Sequence, residues 1–307
     1  MTLEKFVSEL QDESQPLKHA GLLQLSSLAG EDLYEFKNAW YSLPEPRKGQ
    51  IMSKLVELNE DHAEMDFTAM YRALLNDEND DVREQAAKGL WECDDRVVIR
   101  PLIGLLKKDP SARVRAAAAT SLAKFTDLFQ QGKILSRDGD KIRDALLEVI
   151  GEEEEEQEVR RRCIEAVGSF NTIETGEIIR EAYGSNDASM RQSAIYAMGR
   201  SSDIQWLRIV MTELDSSDPA MRYEAANAGG LLGEESTVPR LIALVKDEDS
   251  EVQVAAVQAL GNIGGALAKR ALQQAARKGE DAVEEAAQEA LANLDFDEDP
   301  LGFRFQA

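Results

Sequence analysis

Apolar residues recur in one fixed order at seven places along the chain. A valine or methionine, here called the anchor, is followed four positions later by a small residue. A small residue and then usually a large apolar residue stand seven and eight positions after it. Positions 0, 4, 7 and 8 share one face of an α-helix, so the pattern predicts seven helices with a buried face. The anchors are Val82, Val114, Val159, Met190, Met221, Val252 and Val283.

The spacing of the anchors shows that the helices belong to a repeat. Successive anchors are 32, 45, 31, 31, 31 and 31 residues apart, and the long interval indicates an insertion near residues 125–139. A second amphipathic segment lies between neighbouring anchors, and no convincing strand alternation is found. We therefore predict an all-α fold, a right-handed α-solenoid (superhelix) of stacked antiparallel helix pairs.

The two ends of the chain depart from the repeat. Residues 1–76 carry helical patterns out of register, which predicts an N-terminal helical cap that covers the first repeat. The array is predicted over residues 77–294, and residues 295–307 form an acidic tail that contains Phe303 and Phe305. Whether this tail docks to a partner or to its own last repeat is left open.

The repeat resembles a known family. The segments DDVREQAAKGL and SEVQVAAVQALG, with an Asp-rich turn, Val-Arg, Ala and Leu-Gly, resemble the short HEAT-like repeats shared with the phycobilisome-lyase family. This resemblance implies that the anchor-bearing helices line a concave wall. It also implies that the arginine after the anchor forms a ladder with the turn aspartates of neighbouring repeats; that column holds Arg83, Arg115, Arg160, Arg191 and Arg222.

One stretch of this array is unusually charged. The segment GEEEEEQEVRRRC, residues 151–163, sets a run of glutamates against three arginines. Carboxylates favour the N-terminus of a helix, so we expect residues 152–158 in the first turn of a repeat helix. A functional acidic patch is the alternative.

The charge balance limits the partners. With 58 acidic and 35 basic side chains, the net charge of −23 disfavours nucleic acid, whose binding depends on Lys and Arg. It favours a protein or peptide partner, possibly a basic one. No membrane span or signal peptide is predicted, and the two cysteines, Cys93 and Cys163, fit a cytoplasmic protein. The oligomeric state is left open.

Candidate catalytic chemistry is scarce. The histidines, His19 and His62, are each followed by alanine. They therefore lack the His-Glu pairs with which the HEAT-like deoxyhypusine hydroxylases bind iron, and that activity is excluded. Cys163 falls in the buried small column. We predict no catalytic residue, no cofactor and no metal, and hence a non-enzymatic scaffold or adaptor. The alternative, from the same resemblance, is a bilin lyase or chromophore chaperone.

A partner-binding groove is predicted on the side of the anchor-bearing helices that faces away from the buried face. Positions 2, 6 and 9 after each anchor point there, and the glycines at position 9 are expected to lower the groove floor. Aromatic rings and amides are enriched at binding surfaces, although Tyr196 and Tyr223 could instead pack against adjacent repeats. The predicted groove comprises Trp91, Arg161, Gln192, Tyr196, Tyr223, Asn227, Val254 and Gln258.

Overall fold

The computed structural model describes residues 10, 16–17, 19–61, 65–91 and 93–298. His62 and the tail aromatics Phe303 and Phe305 lie outside these residues. The chain divides into two compact units, Met1–Val167 (unit 1) and Gly168–Ala307 (unit 2). The secondary structure of the described residues is helical, with no strand among them, which confirms the predicted all-α class.

Unit 1 contains nine α-helices within its described residues. They are α1 (His19–Leu22), α2 (Gly30–Trp40), α3 (Glu45–Asp61), α4 (Thr68–Leu74), α5 (Asp80–Lys88), α6 (Ile99–Lys108), α7 (Ala112–Gln130), α8 (Ser136–Gly151) and α9 (Gln157–Val167). The anchor-bearing helices, here called anchor helices, are α5, α7 and α9, and they pack side by side. Helices α6 and α8 lie beside them as companions, so the repeating element is a helix pair.

Unit 2 continues with eight α-helices among its described residues. They are α10 (Ile173–Tyr183), α11 (Ala188–Ser201), α12 (Leu207–Glu213), α13 (Pro219–Leu232), α14 (Val238–Leu244), α15 (Ser250–Ile263), α16 (Gly265–Lys278) and α17 (Asp281–Glu298). The anchor helices α11, α13, α15 and α17 pack in succession, and each also contacts its companion. The structure thus confirms stacked helix pairs. Helix α17 extends four residues beyond the predicted end of the array at residue 294.

The buried face is the one that the pattern predicts. All seven anchors are buried, and so is the small residue four positions after each of them. These small residues are six alanines and Cys163, each with 0% of its surface exposed. Because a small side chain lets the backbone of a neighbour come close, this column fixes where adjacent helices meet.

Arginine forks join neighbouring repeats in unit 1. Arg83 donates from Nε and Nη2 to the two carboxylate oxygens of Asp109, at 2.7 and 2.9 Å. Its Nη1 donates to the carbonyl oxygen of Asp77, in the turn before its own helix, at 2.8 Å. The hydrogen bonds with the Asp109 carboxylate raise the pKa of the Arg83 guanidinium. Arg115 makes the equivalent fork with Glu155, at 3.0 and 2.6 Å. A rung of the kind that the family resemblance implies is present at both positions, with Glu155 in place of the expected aspartate at the second.

The ladder is incomplete at Arg160 and again in unit 2. Arg160 donates to carbonyl oxygens of its own turn, those of Glu152 and Glu153, and forks to no acid among the described residues. Arg222 forks to Asp247, with both distances 2.7 Å. Burial opposes ionisation of Asp247, but the hydrogen bonds from Arg222 and the Asp249 amide prevail and lower its pKa. Arg191 binds carbonyl oxygens of its own turn, those of Ser185 and Asn186. The position 25 residues after Arg191, where Arg222 finds Asp247, holds Ser216 instead of an acid. The expected rung is therefore absent there.

The glutamate run is placed differently from the prediction. Helix α8 extends to Gly151 and α9 begins only at Gln157, so most of residues 152–158 form the turn between them. Within the run, Glu155 takes the fork from Arg115, and the carbonyl oxygen of Glu152 accepts from Arg160 at 2.6 Å. The expectation of a helix first turn was wrong because the segment serves mainly as a ladder turn.

Helices α2 and α3 hold the turn before α5. Asp77 occupies the ladder position before α5, where no earlier repeat supplies an arginine. The indole Nε1 of Trp40 donates to its carboxylate at 2.6 Å instead, with the Lys48 ammonium 4.0 Å away.

The inserted residues after position 125 lengthen α7 to Gln130, and α8 resumes at Ser136.

Glycines, which have no Cβ, stand where the anchor helices of unit 2 approach one another most closely. A Cβ on Gly199 would lie 2.6 Å from the Cα of Ala228, and one on Gly230 would lie 2.8 Å from the Cα of Ala259. Gly168 and Gly261 meet Ala197 and Ala290 in the same way. In every case the glycine nine positions after one anchor faces the alanine seven positions after the next. The helices therefore stack in constant register.

Candidate binding face

The residues of the predicted groove fall in both units. Trp91 and Arg161 belong to unit 1, whereas Gln192, Tyr196, Tyr223, Asn227, Val254 and Gln258 belong to unit 2. Each unit is therefore described separately.

In unit 1 the two predicted residues differ in availability. Trp91 follows α5, donates its backbone N–H to the carbonyl oxygen of Lys88, and leaves 52% of its surface exposed. Arg161 lies on α9 and is half-buried, with its guanidinium 2.8 Å from the carboxylate of Glu158. Trp91 is thus an accessible aromatic side chain, while Arg161 is already engaged in an ion pair.

Charged pairs cover much of the surrounding surface of unit 1. Arg113 contacts Asp80, Asp81 and Glu84, at 3.1, 2.8 and 3.0 Å. Lys88 pairs with Glu84 at 2.7 Å. These groups satisfy one another, so this surface offers a partner few unpaired polar groups.

In unit 2 the six predicted residues occupy three successive anchor helices. Tyr196 on α11 and Tyr223 on α13 are each 37% exposed, and Gln258 on α15 is exposed. Gln192, Asn227 and Val254 are half-buried, so the valine is less exposed than the sequence suggested. The exposure of both tyrosines leaves part of each ring accessible.

One predicted column of this surface was wrong. Gly168, Gly199 and Gly230 are buried, because the next helix lies directly against them. The accessible column stands ten positions after the anchor, which the sequence reasoning missed; Leu231 and Asn262 in it are exposed, and Arg200 is half-buried. The sequence did contain a signal for this burial, because glycine recurs near the end of consecutive helices. Glycine lowers the stability of a helix, so its repetition there indicates that two backbones approach closely.

Four amide side chains on this surface lack hydrogen-bond partners within the described part of the chain. Gln192, Asn227, Gln258 and Asn262 make no side-chain hydrogen bond with any described residue. Gln253, on the same helix as Gln258, behaves differently and donates to the carbonyl oxygen of Asp247 at 2.6 Å. At the α11 end, the Arg200 guanidinium stacks over the Tyr196 ring, 5.8 Å from its centroid, and contacts Ser169 Oγ at 3.0 Å.

We use the name amide face for the side chains at positions 2, 6 and 10 after the anchors of α11, α13, α15 and α17. Its members are Gln192, Tyr196, Arg200, Tyr223, Asn227, Leu231, Val254, Gln258, Asn262, Glu285, Glu289 and Asn293.

Reactive chemistry is limited among the described residues. No group of three or more His, Cys, Asp or Glu side chains within them is arranged to hold a metal ion. Burial raises the pKa of the Cys163 thiol, and it also raises that of Cys93. Both thiols are therefore kept protonated and weakly nucleophilic at neutral pH.

Neither the helices nor the cavity in unit 2 changes the location of the candidate site. Within the described residues, no helix combines the length and apolar character needed to cross a membrane. A cavity of about 260 Å³ in unit 2 is lined by Ile173, Arg180 and Trp206 among others, and none of the predicted groove residues lines it. The amide face is therefore an open surface and not the wall of this cavity.

Comparisons with known proteins agree with this architecture. Residues 68–137 and 204–292, together slightly more than half of the chain, match the family described as HEAT repeats. No curated protein matches the sequence significantly.

Among solved structures, Kap95 in a Kap95:Nup1 complex aligns over 95% of this chain and 46% of its own, with 12% identity and a TM-score of 0.50. This likeness is one of fold, and the chain spans less than half the length of Kap95. Human deoxyhypusine hydroxylase aligns over 95% of this chain and 96% of its own, with 18% identity and a TM-score of 0.37. The E. coli protein YibA aligns over 80% and 96%, with 17% identity and a TM-score of 0.42.

Proposed function

The chain belongs to the HEAT-repeat family, and on that premise we propose that it is a non-enzymatic scaffold that holds a protein or peptide. The observation that supports this function is the amide face of unit 2. It combines two accessible tyrosines with amides that no described side chain or backbone group satisfies. Such rings bury much area at small entropic cost, and unpaired amides gain hydrogen bonds only from a partner or water.

The partner is proposed to bind in the cytoplasm through the residues predicted in unit 2, which are Tyr196, Tyr223, Asn227, Val254, Gln192 and Gln258. The roles predicted for Trp91 and Arg161 in unit 1 stay a separate prediction. The net charge of −23 supports a protein partner with basic segments over nucleic acid. The Kap95 structure, which shares the fold, is that of a complex with Nup1; its likeness to this chain extends to the fold alone.

A photocrosslinking experiment tests this function. Benzoylphenylalanine replaces Tyr196 in the full chain, and the same substitution at Tyr41, which is 67% exposed in unit 1, serves as the matched control. We expect irradiation of native cells to give a defined protein adduct at position 196 and none at position 41. Equal adducts at both positions would indicate nonspecific contact and contradict the assignment.

Substitution of the two tyrosines is the second test of the scaffold function. Tyr196→Ala combined with Tyr223→Ala should lower affinity for the crosslinked partner by at least about tenfold while the unfolding midpoint stays near that of the native chain. Unchanged affinity with an intact fold would exclude this face. Loss of the fold would show that the rings serve packing, in which case Tyr196→Phe with Tyr223→Phe isolates the hydroxyl groups.

The bilin-lyase alternative is distinguished by co-expression with a bilin and an acceptor protein. Covalent attachment of the bilin to the acceptor protein would contradict the scaffold function and indicate an enzymatic one.

A further inference from the structure

The amide face is in register from one helix to the next. Gly199, Gly230 and Gly261 each meet the alanine seven positions after the following anchor, so equivalent positions on α11, α13, α15 and α17 lie side by side. Position 2 therefore runs Gln192, Tyr223, Val254 and Glu285, and position 6 runs Tyr196, Asn227, Gln258 and Glu289. The face consists of short rows of side chains that cross the helices.

The spacing of these rows matches an extended polypeptide. Helices that pack through glycine and alanine have axes about 8–10 Å apart. Three residues of extended backbone cover about 10 Å, so each helix meets every third residue of a chain laid across the face. The four helices from α11 to α17 would accommodate about nine residues.

The chemistry of the rows also fits a backbone. Each amide of Asn227, Gln258 and Asn262 offers a donor and an acceptor, which is the combination that an extended chain presents along its length. The interior of a partner helix has already paired its backbone groups and can reach these amides only with side chains. The tyrosine rings and Leu231, which is 48% exposed, supply apolar contact between the amides.

The charges on the face differ from end to end. Arg200 lies on α11, the positions on α13 and α15 are uncharged, and Glu285 and Glu289 lie on α17. These two glutamates are exposed, stand four residues apart on one helix and have no ion pair within the described residues. Like charges at this spacing repel, so a cationic side chain from a partner would be favoured there.

We propose that the amide face binds an extended peptide segment of about nine residues, mainly through its backbone. The segment is uncharged in its middle and carries a lysine or arginine at the end that lies over Glu285 and Glu289. This inference rests on the scaffold function proposed above and specifies its partner class.

Selection from a random peptide library tests the proposal. The probe is a displayed library of linear peptides about a dozen residues long, selected on the full native chain and re-measured as free labelled peptides by fluorescence polarisation. We expect recovered peptides to share a terminal Lys or Arg and to lack helical periodicity. Peptides with apolar residues at helical spacing, or bound as helices by circular dichroism, would overturn the proposal.

Substitutions on the amide face test how strongly its amides contribute to peptide affinity. Asn227→Leu combined with Gln258→Leu should weaken binding of the recovered peptides at least about tenfold, because two backbone-binding amides are removed. Gln273→Leu combined with Gln274→Leu, on the exposed side of the companion helix α16, is the matched control and should leave binding unchanged. Equal effects of the two pairs would overturn the proposal. Gln258→Leu alone, at an exposed position, replaces the double variant if that one fails to fold.

The charged end is tested separately. Glu285→Gln combined with Glu289→Gln should weaken peptides with a terminal lysine but leave the same peptides with that lysine replaced by glutamine unchanged. No discrimination between the two peptides would contradict the predicted orientation.

Failure of this inference can be distinguished from failure of the scaffold function. A folded partner that crosslinks at position 196 and depends on Tyr196 and Tyr223, while no linear peptide is recovered, overturns the peptide proposal and leaves the scaffold function standing. Absence of both the adduct and the peptides contradicts both.

Discussion

The two compact units use the same repeat but join their helix pairs differently. In unit 1, arginine forks to Asp109 and Glu155 connect successive pairs. Unit 2 has one fork, from Arg222 to Asp247. It also has a column of glycines, in which Gly199 and Gly230 lie against the next helix. Unit 1 has Trp91 and Ala123 at that column instead. Both units share the buried apolar face, so the difference lies in what is added to it: two arginine forks in unit 1, and one fork with close backbone approach in unit 2.

This difference extends to the accessible surface. Beside the anchor helices of unit 1, Arg113 forms ion pairs with Asp80, Asp81 and Glu84. On the amide face of unit 2, Asn227 and Gln258 have no described partner. A surface whose polar groups are mutually satisfied contributes to stability, whereas one with unsatisfied amides retains its capacity to bind.

The largest effect is expected when a fork of unit 1 is broken. Asp109→Asn keeps the acceptor for the Ser111 amide but turns an NH₂ group toward the Arg83 guanidinium. The side chains of Arg83 and Asp109 are 11% and 4% exposed, so a nearly buried cation loses its counter-charge. We expect the free energy of unfolding to fall by about 3 kcal/mol, with faster hydrogen exchange in α5 and α7.

Asp144→Asn is the control for this change. Asp144 also accepts from an arginine, Arg143 at 2.9 Å, but its side chain is 68% exposed. Urea unfolding should show a loss of at most about 0.5 kcal/mol. A similar loss in both variants would contradict a special role for the forks.

A smaller loss is expected when the glycine column of unit 2 is filled. In Gly230→Ala the new Cβ would lie 2.8 Å from the Cα of Ala259, so α13 and α15 must separate. We expect a destabilisation of about 2 kcal/mol with faster hydrogen exchange in both helices. Gly104→Ala on α6 has no neighbour within 4 Å and should instead stabilise by about 0.5–1 kcal/mol. Equal behaviour of the two variants would show that close approach does not hold unit 2 together.

The sequence predicted the repeat because burial imposes a strict helical period. The anchors and the small residues four positions later are all buried, as each single helix requires. The error at Gly199 and Gly230 arose because one helix considered alone cannot tell where its neighbour lies. The family resemblance implied the rung at Arg83, but it could not indicate that Ser216 leaves Arg191 without one. Rungs depend on pairs of residues in different repeats.

For the candidate site, the exposure of the side chains agrees with the sequence-based expectation at some positions and differs at others. Tyr196, Tyr223 and Gln258 are exposed as expected, whereas Val254 is half-buried and Arg161 is paired with Glu158. Ion pairing and partial burial depend on neighbouring side-chain conformations, which the periodicity does not contain. The assignment of these residues to a partner stays a prediction.

The smallest effect is expected from giving unit 2 a fork that it lacks. Ser216→Asp places a carboxylate at the position equivalent to Asp247, within the register in which Arg191 corresponds to Arg222. The new side chain can still accept from the Asp218 amide, as Ser216 Oγ does now at 3.4 Å. We expect a gain of about 0.5–1 kcal/mol in urea unfolding. Ser217→Asp, the neighbouring exposed position, adds the same charge without the fork and should give no gain. In an Arg191→Gln background the benefit of Ser216→Asp should disappear; its persistence there would show that the gain comes from capping the helix and not from a new rung.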